Sequence, residues 1–170
     1  TGKLFAFEHF GISPDILLLG KALGGGFPVG AMITKKSHMN KFQKNPILGH
    51  ITTFGGHPVI AAAGFESLSI ILKEKLSQKT LEKEKLFRKL LKHSHIEEIR
   101  GKGLMIALIL KNENLANQLV LKSIDKGLIL FWLLYEKKGV RITPPLNITK
   151  SEIEKGCKII LGILDSIEKC

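Results

Sequence analysis

Apolar residues follow two rhythms along this chain. In the first third they come as short unbroken runs. Ile16-Leu17-Leu18-Leu19, held between Asp15 and Gly20, reads as a strand buried on both faces, and a second apolar piece covers residues 28–33. A polar segment follows through Pro46. From Pro58, which suits a first helical position because its missing N–H costs nothing there, Ala61, Phe65, Leu68, Leu72 and Leu76 recur at three- and four-residue spacing. That stripe predicts one helix leading out of a first domain, residues 1–72, into a second, residues 73–170.

The second domain opens on a lysine- and glutamate-rich stretch with Leu86, Phe87, Leu90 and Leu91 as its apolar positions, so its charges read as a solvated helix face. Residues 96–99 and 104–110 predict two strands around a Gly101-Lys102-Gly103 turn, and Gly127 predicts the end of a helix over about 114–126. A further strand is expected over 128–133. Thr149 followed three residues later by Glu152 is a capping box, flanked by Ile148 and Ile153 as a hydrophobic staple. Ile153, Cys157, Ile160, Leu164 and Ile167 then form the buried stripe of a last helix, which makes Cys157 a small core residue rather than a reactive thiol. The fold class is α/β, the end of an α/β domain followed by a small α+β domain.

Composition narrows the function. With 170 residues, 44% hydrophobic and 24% charged, the chain is globular rather than disordered. Its formal charge of +11 comes mostly from scattered lysines with only three arginines, and no recognition motif accompanies it, so no nucleic-acid partner is expected. No apolar run approaches the roughly 20 residues of a membrane span, so no membrane partner is expected either. Cys157 and Cys170 form no framework, which fits a reducing, cytoplasmic setting. His9, His38, His50, His93 and His95 show no ligand spacing, and no metal is expected.

The chemistry concentrates at Lys21, the lone charge at the end of the first apolar run. Burial there would favour a neutral, nucleophilic amine, and Gly24-Gly25-Gly26 would let the backbone approach a flat, bulky group, the pattern of a Schiff-base lysine. A solvated strand end is the ordinary alternative. Two glycine motifs fail: Ala22 follows Lys21 where a phosphate loop needs Ser or Thr, and Val29 stands where a dinucleotide fingerprint needs its third glycine.

The segments Thr1-Gly2-Lys3-Leu4-Phe5-Ala6-Phe7-Glu8-His9-Phe10-Gly11, Gly20-Lys21-Ala22-Leu23-Gly24-Gly25-Gly26 and Pro28-Val29-Gly30-Ala31 resemble the lysine region of class III pyridoxal-phosphate aminotransferases, the ornithine and acetylornithine group. Thr52-Thr53-Phe54-Gly55-Gly56-His57-Pro58, Arg100-Gly101-Lys102-Gly103-Leu104-Met105 and Val140-Arg141-Ile142-Thr143-Pro144-Pro145-Leu146 are similar to further motifs of that family, in its order. The resemblance implies the C-terminal part of a fold type I large domain, followed by the small domain. It implies Lys21 as catalytic residue and cofactor anchor, Thr52 and Thr53 at the pyridoxal 5'-phosphate, with Thr53 on the phosphate of a neighbouring subunit's cofactor, and Thr52 and Arg141 at the substrate. It implies an amino acid or amine donor, a 2-oxo acid acceptor and a homodimer with shared sites. His57 replaces the commoner asparagine and reads as a capping or packing variant.

Two other readings stay open: a semialdehyde aminomutase of the same family, and a structural or interaction module without catalysis. The start at Thr1 suggests a C-terminal fragment, inactive alone, whose residues 16–19 and 29–33 would show uncovered apolar faces. Arg141 has a competing role as a structural salt bridge, since an arginine among apolar neighbours ordinarily has an anionic partner. Arg100 reads as structural.

Overall fold

The computed structural model describes residues 1–168, so Cys170 lies outside the described residues. The chain divides into two compact units, Phe5–Lys75 and a second made of Thr1–Leu4 with the residues from Leu76 onward.

In the first unit, a 3-10 segment (Ala6–Phe10) precedes β1 (Ile16–Gly20), which pairs antiparallel with β2 (Gly30–Thr34) in a two-stranded ribbon from Ile16 opposite Thr34 to Gly20 opposite Gly30. A short α1 (Lys36–Met39), a 3-10 turn (Asn40–Gln43) and a long loop lead to α2 (Pro58–Lys73). Pro58 is the first helical residue, as its chemistry predicts. The first run is not buried on both faces: Ile16 and Leu18 are 51% and 72% exposed, in keeping with the uncovered apolar faces expected of residues 16–19. The expected apolar stripe of α2 is not its packed face either. Phe65 is 73% exposed, whereas Gly64 is buried and Ala63 and Ser67 are half-buried. Small side chains let another piece of backbone lie against the helix. The stripe also does not continue to Leu76 as one helix, because Lys75 takes a left-handed φ of 53° between α2 and α3 (Leu76–Leu90).

The second unit is a four-stranded antiparallel sheet covered by helices. Its strands are β3 (Ile96–Lys102), β4 (Met105–Leu110), β5 (Phe131–Trp132) and β6 (Gly139–Ile142), in the order β3-β4-β6-β5. Alternation along β4 and β6 sends Ile106, Leu108, Leu110, Val140 and Ile142 into the core. They meet Phe87 of α3, Leu119 and Val120 of α4 (Glu113–Asp125), and Ile153, Cys157, Ile160 and Leu164 of α5 (Lys150–Glu168). Asn112 caps α4 by accepting from the Leu115 N–H at 2.9 Å. At its other end the Leu128 N–H donates to Ser123 O at 2.9 Å, and this use of Leu128 in the helix exit helps explain why the strand expected over 128–133 shrinks to Phe131–Trp132. The capping box of α5 forms as predicted: Glu152 Oε2 accepts from the Thr149 N–H at 2.7 Å, and Thr149 Oγ1 accepts from the Glu152 N–H at 3.3 Å.

The charges of α3 are not all solvent-facing. Arg88 donates to Ile99 O at 2.6 Å and Gly101 O at 2.9 Å, while Glu84 accepts from both Arg88 Nε (2.8 Å) and the Gly103 N–H (2.6 Å). These bonds clamp the β3–β4 turn. Gly101 has a φ of 109°, and a Cβ there would run into the Met105 carbonyl.

Candidate active site

Lys21 begins the one-turn 3-10 segment Lys21–Gly24 immediately after β1. Its φ of 50° lies in the left-handed region, which costs a non-glycine residue about 1–2 kcal/mol and marks sites that the surrounding structure over-determines. Here the surrounding structure is α2. Leu23 O and Ala22 O face Gly64 and Ser67: a Cβ on Gly64 would stand 3.2 Å from Leu23 O, and Ser67 Oγ donates to Ala22 O at 3.4 Å. Gly25, at φ 59°, packs its α-carbon toward Ser67 and the Ala63 carbonyl. Gly25 is thus accounted for by its left-handed φ and close approach to α2, Gly24 by its packing on Val29, where a Cβ would stand 3.0 Å from Cγ1, and Gly26 by a φ of 108°, although a Cβ there would meet nothing within 4 Å.

The lysine side chain is exposed, so burial is not what prepares its amine in this structure, contrary to the sequence expectation. Among the described residues no carboxylate pairs with it.

The segment that follows the glycines meets the threonine loop. Val29, Gly30, Thr52, Gly55, Gly56 and His57 contribute to a cavity of about 620 Å³. Thr52 folds over Gly55, whose N–H donates to Thr52 O at 3.3 Å, and a Cβ on Gly55 would clash with Thr52 Oγ1 at 2.7 Å. The N–H of His57 is likewise used, donating to Phe54 O at 3.2 Å. The free donors at this helix start are therefore those of its first turn, such as Val59 and Ile60, rather than the whole glycine loop. His57 holds the N-cap position, yet its side chain makes no capping bond, so the capping role expected of it is absent. Lys21 and Thr53 do not line this cavity.

Arg141 sits in the other unit, on β6. The alternation that buries Val140 and Ile142 turns Arg141 to the exposed face, which explains its apolar neighbours without requiring an anionic partner. Register places Arg100, Ala107, Arg141 and Phe131 in one row across the sheet. The two arginines of that row differ. Arg100 is bound to Glu98 (2.8 Å) and Glu136 (3.3 Å), and its bond to Glu98, above all, raises its already high pKa. Arg141 lies 5.1 Å from the centre of the Phe131 ring and pairs with no carboxylate among the described residues. It opens on a cavity of about 530 Å³ walled by Leu130, Pro144, Pro145 and Ile153. Lys83 of α3 donates to Leu146 O at 2.6 Å and ties down the proline turn beside it. The row across the sheet was not legible beforehand, because register links residues far apart in sequence.

Elsewhere, Cys157 is buried and unpaired, and burial pushes its thiol up to about 11, which makes it inert. No metal-binding cluster and no helix long and apolar enough to cross a membrane occur among the described residues.

This lysine turn, threonine loop and arginine row have relatives. Residues 1–164 match the class III aminotransferase family, and the chain belongs to it. It is 39% identical over 172 residues to the acetylornithine aminotransferase of Caldanaerobacter subterraneus subsp. tengcongensis, a match covering 98% of this chain and 42% of the relative. The ornithine aminotransferase of Toxoplasma gondii ME49 superposes with a TM-score of 0.87 at 31% identity, over 99% of this chain and 41% of that one. A second Toxoplasma gondii ornithine aminotransferase structure (TM-score 0.86, 31% identity, 99% of this chain and 40% of that one) shows partial occupancy of pyridoxal phosphate at its active site. The fold is therefore the α/β one of pyridoxal-phosphate-dependent aminotransferases, and the chain spans about two fifths of the length of these relatives.

Proposed function

We propose that this chain carries the lysine of a pyridoxal-phosphate-dependent transaminase that moves an amino group between an amino acid or amine and a 2-oxo acid. The observation that carries this reading is Lys21: an exposed amine without a carboxylate partner, held at a left-handed φ on a turn docked against α2. The residues fit the cofactor. Gly26 leaves its α-carbon open, and the Thr52 loop pairs a hydroxyl with a cavity at a helix start, where first-turn N–H groups and the helix dipole favour a phosphate. When bound, pyridoxal phosphate supplies the electron sink for breaking bonds at the amino-bearing carbon. Lys21 Nζ would hold the cofactor and, once freed, carry the proton. Thr52 and Thr53 would donate to the phosphate, Thr53 across the interface of a homodimer. Arg141, with Thr52, would take the substrate carboxylate, which suits its planar pair of donors.

In this reading residues 1–72 are the end of the cofactor-binding large domain with its linker helix and residues 73–170 are the small C-terminal domain. Buried, unpaired Cys157 suits a reducing compartment, the cytoplasm. The aminotransferase relatives favour net transfer over mutase chemistry and over a module without catalysis. The 170 residues alone would lack turnover. Borohydride reduction of the cofactor-loaded enzyme followed by peptide mapping should place the pyridoxyl group on Lys21; an adduct on another lysine would overturn the assignment.

A further inference from the structure

Phe131 and Arg141 stand opposite each other on neighbouring strands, β5 and β6, with their side chains on the same face of the sheet. The central carbon of the Arg141 guanidinium lies over the Phe131 ring, 5.1 Å from its centre. The other neighbour of Arg141 in that row is Ala107, whose methyl group gives a guanidinium nothing to hold. Phe131 is itself anchored, although β5 is only two residues long. Trp132, the next residue, pairs with Val140 and turns to the opposite face, where its indole N–H donates to Asn117 Oδ1 of α4 at 2.8 Å. Tied to β6 by pairing and to α4 through Trp132, the strand carries the ring to a fixed place beside the arginine.

A carboxylate holds an arginine by taking its N–H donors, as Glu98 and Glu136 do with Arg100. A ring face attracts the cation through its π electrons and has no acceptor atom, so the donors stay available to a planar anion. No carboxylate among the described residues pairs with Arg141. We propose that Phe131 is a positioning residue for Arg141: its ring holds the guanidinium in place with the donors free, ready for the carboxylate beside the reacting carbon of the substrate. This rests on the assignment of Arg141 to the substrate carboxylate. A guanidinium already in place loses less side-chain freedom when the anion arrives, which lowers the cost of binding.

The test uses the full-length, cofactor-loaded enzyme carrying the amino group, with two acceptors as probes: 2-oxoglutarate, and succinic semialdehyde, which lacks the carboxylate beside the reacting carbonyl. Phe131→Leu should raise KM for 2-oxoglutarate about two- to fivefold, the size expected when an exposed cation–π contact is lost, and leave KM for succinic semialdehyde at its wild-type value. Phe131→Tyr, which keeps the ring face, should restore the wild-type KM. NMR of the wild-type enzyme should independently show the Arg141 side-chain protons shifted upfield by the ring, and Phe131→Leu should abolish that shift. A wild-type Arg141 without the ring shift, or an equal rise in KM for both acceptors, would overturn the proposal. Arg141→Ala separates the positioning role from the assignment beneath it. If that variant loses the preference for 2-oxoglutarate while Phe131→Leu keeps the wild-type KM, the positioning role alone fails; if Arg141→Ala keeps the preference, the carboxylate assignment fails and the proposal with it.

Discussion

The two units of this chain use apolar residues in opposite ways. From Leu76 onward, three helices and a sheet close over a continuous core in which Leu108, Leu119 and Leu164 have no exposed surface. In Phe5–Lys75 the buried residues are Gly24 and Gly64, while Leu18, Phe54 and Phe65 are each more than 70% exposed. The apolar surface left open in Phe5–Lys75 goes with a chain that spans about two fifths of the length of its relatives, and the close contacts of this unit run through glycines at the lysine turn. In the function proposed above, the first unit carries the lysine and the second the core, which separates chemistry from stability along the chain.

The most severe test of that separation is Lys21→Arg in the cofactor-loaded enzyme. A guanidinium stays protonated and is a poor nucleophile, so transamination should fall by about three orders of magnitude or more while the melting temperature is held. Comparable turnover by the variant would return Lys21 to an ordinary strand end. Leu164→Ala should do the reverse, removing about 2–5 kcal/mol of stability from the core unit. Urea unfolding followed by residue-resolved NMR should show the loss in β4, α4 and α5; an equal loss throughout Phe5–Lys75 would erase the contrast.

Within the sheet, Arg141→Ala should raise the substrate KM roughly tenfold or more, as expected when a charged hydrogen-bonding partner is removed, with cofactor binding intact. Arg100→Ala should leave KM unchanged, because Glu98 and Glu136 already occupy its guanidinium. If the two variants behave alike, the pairing difference between the arginines has no functional meaning.

The smallest effect concerns the start of α5. Hydrogen bonds from the Thr149 N–H, then its hydroxyl, hold the Glu152 carboxyl below the usual glutamate range. A depressed folded-state pKa means the contribution is fully present above the ordinary glutamate value and is lost as pH falls through the lower one. Thermal melts should therefore show a slightly shallower acid decline for Glu152→Gln than for the wild type over that window. Parallel curves would mean the box closes without coupling to folding.

Local chemistry was enough to predict much of the core unit. The Thr149 and Glu152 box, the Ile153, Cys157, Ile160 and Leu164 stripe and the Gly101-Lys102-Gly103 turn depend on residues within one or two turns of each other, and they stand where their spacing put them. The lysine turn was visible as a motif, and the reason given for it, burial, was not the one found. What the tertiary structure decided is pairing over distance. Gly64 rather than Phe65 is the packed residue of α2 because the turn at Lys21–Gly24 needs a helix face without side chains. Strand register leaves Arg141 beside Ala107 and Phe131, whereas Arg100 takes one acid, Glu98, from its own strand and another, Glu136, from the loop before β6. Periodicity records which face of an element is apolar; it holds no record of what will lie against that face.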